Sequence, residues 1–377
     1  MIIISLPCLL VGGTEFQTLQ LVKALKSFNQ NVVVLVYFEV AAEMIQLYEK
    51  EGIEVEVLDW ERSLPPWLFV KKLRLVFKQI KPSVVHVQYL APGALPIIAA
   101  KLAGVPRIMA TVHQPYTISH GGVAKLLLRV AALFCNPFLS VSQNAAISWF
   151  GKTTLIDNKI PIVEQSNQLT LYNTIDVEKI NYLKNLKPQL LPVGLKLDET
   201  IIGTVSRLRH EKGIDLLIQA FYRVFKQNSK SNAQLLIIGD GPQAQEYQQL
   251  VKTLQIDERV FFIGAKDWES AMQYMGIMNI VVVPSRFEGF GLTAAEAMAM
   301  EKPLICSNAF GLCELVTHNQ EGLLFQNGDA EDLQKQLENL INNPDKSKQL
   351  GKQAFVKVKQ NFDYPIFLNR IKTLYQL

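Results

Sequence analysis

A chain of 377 residues is too long for one ordinary hydrophobic core, so its length implies two or three domains. With 49% hydrophobic and 19% charged residues it is neither disordered nor fibrous, and a net charge of +4 gives a nucleic-acid role no bulk electrostatic support. Four cysteines form no C-x-x-C pair and no metal-ligand spacing with the five histidines, so no metal site is expected and a reducing, cytoplasmic setting is. Met1 to Val11 is apolar but lacks a basic leader and runs into Gly12-Gly13 and a helical pattern, which reads as a first strand and not a signal peptide. No apolar run reaches the roughly 18 residues that span a bilayer, so membrane contact, if made, is expected to be peripheral.

In chain order, Ile2 to Leu6 reads as a strand, Pro7 to Thr14 as a loop and Glu15 to Phe28 as an amphipathic helix. Strands follow at Val32 to Phe38, Val55 to Leu58, Val84 to Gln88 and Arg107 to Val112, separated by helices at Met44 to Glu51, Leu68 to Ile80 and Ala94 to Gly104. The helix Val123 to Phe134, the strand Pro137 to Ser142, the helix Asn144 to Phe150 and the strand Gln168 to Tyr172 complete a first half. Over Asp176 to Val193 the periodicity fades, and an interdomain linker is expected in or near it. Alternation resumes with strands at Ile201 to Ser206, Gln234 to Gly239, Val260 to Ile263, Ile280 to Val283, Pro303 to Ser307 and Gly322 to Phe325, with helices between and after them. Apolar strands alternating with helices imply parallel sheets covered on both faces. The fold class expected is α/β: two Rossmann-like, doubly wound domains, with ligands in the crevice outside the strands' carboxyl ends.

The densest chemistry lies at Ser285 to Met300. An apolar strand ends at Pro284, a glycine-spaced turn follows, and an alanine-rich helix begins whose free amides attract anions. Glu288 and Glu296 bracket that turn. Thr293 to Glu296 also fits a capping box, and Glu288 also fits a solvated loop residue. Arg207 and Lys212, after the first strand of the second half, set two cations on a loop before a helix, which suits a diphosphate leaving group without a metal; a solvated basic loop is the alternative. Gly12-Gly13 lets backbone approach a ligand closely or is a plain turn. His113, at a strand's end, suits hydrogen bonding to a sugar or a proton shuttle, whereas His86 lies inside an apolar strand and reads as a core histidine. His120 sits in a loop suited to covering an acceptor. Gly239-Asp240-Gly241-Pro242 matches a dinucleotide fingerprint, but Pro242 removes an amide and the turn lies mid-half, so NAD is not expected.

Taken together these segments resemble the retaining, nucleotide-sugar-dependent glycosyltransferases of family 4, which have the GT-B fold. Gly12-Gly13-Thr14-Glu15 resembles the family's glycine loop, Val84 to Val87 its D-V-V-H-x-H strand with Ser83 and Gln88 in place of Asp and the second His, and Tyr172 to Asp176 its Y-N-G-I-D segment. Val205 to Gly213 is similar to G-R-L-x-x-x-K-G, and Glu288 to Glu296 to the E-x7-E motif, whereas Ser307 to Glu314 keeps little of the family's loop. The resemblance implies that Arg207, Lys212 and the amides of Gly289, Phe290, Gly291 and Leu292 hold a donor diphosphate. It implies that Glu288 and His113 contact the transferred sugar, that Glu296 holds the ribose, and that the base lies near Ile263 and Gly264.

The implied function is metal-independent transfer of a hexosyl unit from a UDP- or GDP-sugar, with retention, to a glycan, lipid-linked or small-molecule acceptor; the alternative is an NDP-sugar epimerase of the same shape. The donor is a co-substrate and no cofactor is expected. The domains expected are residues 1–178, 179–360 and a terminal helix 361–377 that crosses back to the first. Leu64 to Lys78 mixes aromatic and basic residues and fits either an anionic membrane surface or packing on the sheet, with Lys125 and Arg129 extending the same basic face.

Overall fold

The computed structural model describes residues 1–89, 93–117, 120–227 and 232–377. Contacts divide the chain into two units, Met1–Thr174 with Pro365–Leu377, and Ile175–Tyr364.

Unit 1 runs β1 (Ile2–Leu6), α1 (Gly13–Ser27), β2 (Val32–Val36), α2 (Ala42–Lys50), β3 (Glu54–Val57), α3 (Pro66–Ile80), β4 (Val84–Tyr89), α4 (Leu95–Ala103) and β5 (Arg107–Val112). It continues through α5 (Gly122–Ala132), β6 (Phe138–Ser140), α6 (Gln143–Phe150), β7 (Thr154–Leu155) and β8 (Gln168–Thr170). Among the described residues these strands form one sheet in the order β3-β2-β1-β4-β5-β6-β8-β7, parallel throughout. β1 and β2 bury every residue, as strands covered on both faces must. Ile3, Val85, Val87 and Ile108 point to one face, where Phe69 and Leu73 of α3, Ala100 of α4 and Leu128 of α5 close the core. His86 and Gln88 alternate onto the other face.

Unit 2 runs α7 (Val177–Leu183), β9 (Thr200–Val205), α8 (Ile214–Gln227), β10 (Ala233–Ile238), α9 (Ala244–Thr253), β11 (Val260–Phe262), α10 (Trp268–Gly276), β12 (Ile280–Val283) and α11 (Leu292–Ala299). β13 (Leu304–Ser307), α12 (Leu312–Leu315), β14 (Leu323–Phe325), α13 (Ala330–Asn342) and α14 (Pro344–Asn361) complete it, and the terminal helix α15 (Tyr364–Tyr375) belongs to unit 1 from Pro365 onward. The sheet order is β11-β10-β9-β12-β13-β14. Where little structure is expected over 176–193, α7 forms: Asp176 caps it by accepting from the Lys179 amide, and Val177, Ile180 and Leu183 turn one buried face inward. The helix is two turns long, too short for its periodicity to stand out from the prolines that follow.

Each sheet has a topological switch at its centre, between β1 and β4 in unit 1 and between β9 and β12 in unit 2, where neighbouring strands send their chains to opposite sides. The loops leaving β1, β9 and β12 are those that carry Gly12-Gly13, Arg207 to Lys212 and Glu288 to Leu292. The wound topology thus puts the sequence motifs beside the switch of their own unit.

Candidate functional site

In unit 2 the loops after β9 and β12 are locked to each other. The guanidinium of Arg286 forms a fork on Asp215 at the start of α8, with Nη1 to Oδ1 at 2.8 Å and Nη2 to Oδ2 at 2.6 Å. It also donates to the His210 carbonyl at 2.9 Å, while its amide donates to the Glu211 carbonyl at 2.8 Å. Burial raises the Asp215 carboxyl, but the bonds and charge of Arg286 outweigh it and hold the group below the usual carboxylate range. Gly213 completes the contact: at φ +65° a Cβ would stand 2.1 Å from the Pro284 carbonyl oxygen, so only glycine lets the two loops touch. Sequence reading passed over Arg286 and Asp215, because a fork across 71 positions leaves no local pattern.

On this platform Lys212 ends a short 3-10 turn and its Nζ lies 2.7 Å from Glu288 Oε2, both side chains half-buried. Glu288 is therefore not a free loop carboxylate. Arg207 is exposed and makes no ion pair among the described residues. Gly291, the cap residue before α11, lies in the left-handed region at φ +104° and offers the helix no side-chain cap. The capping box that Thr293 to Glu296 also fits does not form: Thr293 donates to the Val205 carbonyl at 3.1 Å, and Glu296 accepts from the Trp268 indole at 2.8 Å. The first turn's amides are left without a side-chain cap, which is how a helix presents an anion site. Phe290 is buried edge-on to Phe362 at 5.4 Å, which fixes the loop from below.

Glu296 lies half-buried, and removal of its carboxyl from water pushes its pKa up to about 7 despite the indole bond. A carboxyl poised there accepts hydroxyl hydrogen bonds best once ionised. Trp268 is a second residue that sequence reading did not single out; it is the first residue of α10, whose cap is Asp267. Gly264, at φ +74°, pairs with Gly239 across an isolated bridge, the Gly239 amide donating to the Gly264 carbonyl at 2.9 Å. The dinucleotide-like turn has a packing reason: a Cβ on Gly239 would stand 1.8 Å from the Ser206 carbonyl oxygen. Among the described residues no three His, Cys, Asp or Glu side chains gather as a metal set.

In unit 1, Gly12 precedes α1 in an extended conformation and Gly13 opens the helix, again without a side-chain cap. His113, just past β5, is buried, and its Nε2 lies 2.8 Å from Gln88 Oε1. Gln88 turns its amide nitrogen to His86 Nε2 at 3.2 Å, while Thr111 Oγ1 lies 2.7 Å from the same nitrogen and Tyr375 Oη 2.6 Å from His86 Nδ1. The amide oxygen of Gln88 only accepts, so His113 carries its proton on Nε2 and keeps Nδ1 as an acceptor. His86 accordingly accepts at Nε2 and donates from Nδ1 to the tyrosine oxygen. Burial pushes both imidazoles down to about 3, with His113 and Arg107 adding to the shift at His86. His86 is a satisfied core histidine, as expected, yet it is also a link in this chain of polar groups. Beside them lies a cavity of about 20 Å³ lined by Thr111, Tyr172 and Phe367 among others, room for about one water. His120 packs its ring on Tyr116 and Trp149, with centroids 5.9 and 5.3 Å away.

These placements put the Gly12-Gly13, Arg207 to Lys212 and Glu288 to Leu292 loops beside the switch of their own unit, and comparison with known proteins gives the chain a family. A family model described as "Glycosyltransferase Family 4" matches residues 11–178, and one described as "Glycosyl transferases group 1" matches residues 191–357. The chain belongs to the family 4 glycosyltransferases. Relatives of this glycosyltransferase include N-acetyl-alpha-D-glucosaminyl L-malate synthase of Bacillus anthracis, 26% identical over 318 residues, which are 82% of this chain and 79% of that protein. The alpha-monoglucosyldiacylglycerol synthase of Acholeplasma laidlawii is 26% identical over 322 residues, covering 82% and 78%. Among solved structures, Anabaena HepE in complex with UDP superposes over the full length of both chains with a TM-score of 0.79 at 21% identity. The glycosyltransferase of Rickettsia africae gives 0.78 at 19%, covering 100% of this chain and 98% of its own. With two doubly wound parallel sheets, the glycosyltransferase has the GT-B fold. No helix among its described residues is long and apolar enough to cross a membrane.

Proposed function

We propose that this glycosyltransferase moves a hexosyl unit from a UDP- or GDP-sugar to a hydroxyl acceptor with retention, and without a metal. The observation that carries the reading is the Lys212–Glu288 pair on the same unit as the start of α11, whose cap residue offers no side chain; Arg207, on the loop of Lys212, is exposed and makes no ion pair among the described residues. Fixed cations beside a helix start that carries no side-chain cap are suited to the charge that develops on a departing diphosphate. Lys212 has three donors, so it can keep Glu288 and still bond a phosphate oxygen. Each charge-assisted bond that strengthens in the transition state supplies about 1.5 to 3 kcal/mol, or roughly a 10- to 150-fold rate.

In this reading Glu288, oriented by Lys212, accepts from a hydroxyl of the transferred sugar. Glu296, steadied by Trp268, accepts from the ribose, and Ile263 and Gly264 border the base. His113 offers its unprotonated Nδ1 to a sugar hydroxyl. The acceptor attacks the face from which the diphosphate leaves, and a donor phosphate oxygen takes its proton, so the protein's task is orientation and leaving-group stabilisation. Relatives named for a malate product and for a glucosyl-diacylglycerol product, with an Anabaena structure holding UDP-glucose, support a nucleotide-sugar donor and a small-molecule, glycan or lipid acceptor.

A panel of UDP- and GDP-hexoses, incubated with hydroxyl acceptors in the presence of a chelator, tests this. Acceptor-dependent nucleoside diphosphate release and a product with the donor's anomeric configuration, read by proton NMR coupling, is the expected result. Inverted product, or activity abolished by the chelator, contradicts the retaining, metal-free reading.

A further inference from the structure

Unit 1 carries a surface that the donor chemistry leaves unused. The sequence pattern drew attention to α3, but its apolar stripe is spent on the core, with Phe69, Leu73 and Phe77 buried. The exposed stripe is on α5. Val123, Leu126, Leu127 and Val130 stand at helical spacing on its outer side, and Leu133 and Phe134 continue it past the helix end, with Leu126 63% and Leu133 73% exposed. The inner side is apolar too, with Leu128, Ala131 and Ala132 packed on the sheet. A helix apolar on both sides, with one side facing water, is not accounted for by packing of this chain alone.

The patch extends across its neighbours. Lys101 Nζ of α4 lies over the Phe134 ring at 5.6 Å, and Arg74 Nε of α3 donates to the Leu102 carbonyl at 3.1 Å, so α3, α4 and α5 present one continuous outer face. Leu75 and Leu102 are exposed on it. The charge of the three helices is of one sign: α3 carries Lys71, Lys72, Arg74 and Lys78, α4 carries Lys101, α5 carries Lys125 and Arg129, with Lys72 over the Trp60 ring, Lys125 over the Tyr116 ring and Arg129 donating to the Trp149 carbonyl, and none of the three has an Asp or Glu.

We infer that this face docks on an anionic lipid bilayer, with α5 lying in the interface and its Val and Leu side chains among the acyl chains. Apolar side chains flanked by lysine and arginine, on a helix too short to span, are the physical requirements for interfacial binding. A second copy of the chain fits less well, because a two-fold contact would set cations of these helices against one another with no carboxylate on the helices to pair them. Long basic side chains reach the headgroups while their stems cover apolar surface.

Vesicle co-sedimentation of the full chain tests the inference, using phosphatidylglycerol–phosphatidylcholine vesicles against phosphatidylcholine alone, at low and high salt. Expected are binding to the anionic vesicles only, its weakening by salt, and about a ten-fold or greater loss in Leu126→Glu/Leu133→Glu. Lys71→Gln/Lys72→Gln/Lys78→Gln weakens binding without touching α5. Val356→Glu, at an exposed apolar site of unit 2, leaves it unchanged. All these positions are exposed, and unchanged melting temperatures show that the variants fold. Equal binding to neutral vesicles, no binding to either, equal loss in Val356→Glu, or a concentration-dependent dimer abolished by the α5 pair each overturns it.

Discussion

Lys212 Nζ sits 2.7 Å from Glu288 Oε2, an ion pair that joins the loop after β9 to the loop after β12 across the switch point of unit 2. The chain separates the two residues by 76 positions, and the parallel sheet brings them together. Removing either partner leaves a half-buried charge alone, so the pair acts as a unit. Lys212→Ala is expected to lower turnover at saturating donor by roughly 10- to 150-fold. Lys212→Arg, which keeps charge but not shape, should recover only part of that. Nucleoside diphosphate release under steady state measures both.

Glu296 gives donor binding a pH dependence. Its carboxyl is pushed up to about 7 by burial, from an ordinary 4.5. Donor affinity should rise as pH passes upward through about 7, where the group becomes the better acceptor for ribose hydroxyls. Folding has the opposite sense. The raised pKa favours the folded state fully below about 4.5, and that contribution is lost as pH rises through about 7, on the order of 3 kcal/mol in all. Glu296→Gln should flatten both curves, read by calorimetric titration and by urea unfolding at pH 5, 6 and 7.5.

His86 and His113 act in the other direction. Both are held neutral down to about 3 by burial, so stability present above the ordinary 6.5 falls as pH drops below it, because the unfolded chain takes up protons that the folded chain refuses. Each group contributes about 1.4 kcal/mol per pH unit once pH is well below 6.5. Between about 6.5 and 5, Glu296 offsets one of these two protons, and below its own range it offsets none. Acid unfolding of the wild type should therefore steepen below about pH 4.5, and Glu296→Gln should steepen it earlier. A single gentle slope from pH 6.5 to 3 would contradict the assignment.

Gln88 is expected to set the tautomer of His113. In Gln88→Leu the buried Nε2–H of His113 loses its acceptor and His86 loses a donor, at a cost of about 1 to 3 kcal/mol in stability. Nitrogen-15 NMR of the imidazoles, which distinguishes protonated from bare ring nitrogens, should show Nε2–H at His113 in the wild type. A mixed population in Gln88→Leu, with turnover reduced more than donor affinity, is the expected change.

The doubly wound architecture was legible because apolar strands and amphipathic helices alternate for most of the chain, and the loops that carry Glu288, Arg207 and Lys212 were legible because turn glycines and a strand end mark them. What was not legible depends on contacts made in three dimensions. The Arg286–Asp215 fork, the Trp268 bond to Glu296 and the Gln88–His113 bond each join segments that no local period relates. The capping box, one of two readings open for Thr293 to Glu296, does not form because Thr293 found the Val205 carbonyl, a partner 88 positions away that competes with its own helix. On α3 and α5 the sequence showed apolar residues and cations, but only packing decides which stripe faces the sheet.

The most direct test of the account compares wild type with Glu288→Ala and Lys212→Ala, measuring acceptor-dependent release of nucleoside diphosphate from the donor that gives the largest thermal stabilisation. The account predicts release by the wild type and at least a ten-fold loss in each variant under conditions where circular dichroism shows it folded. Wild-type turnover in either folded variant would contradict it.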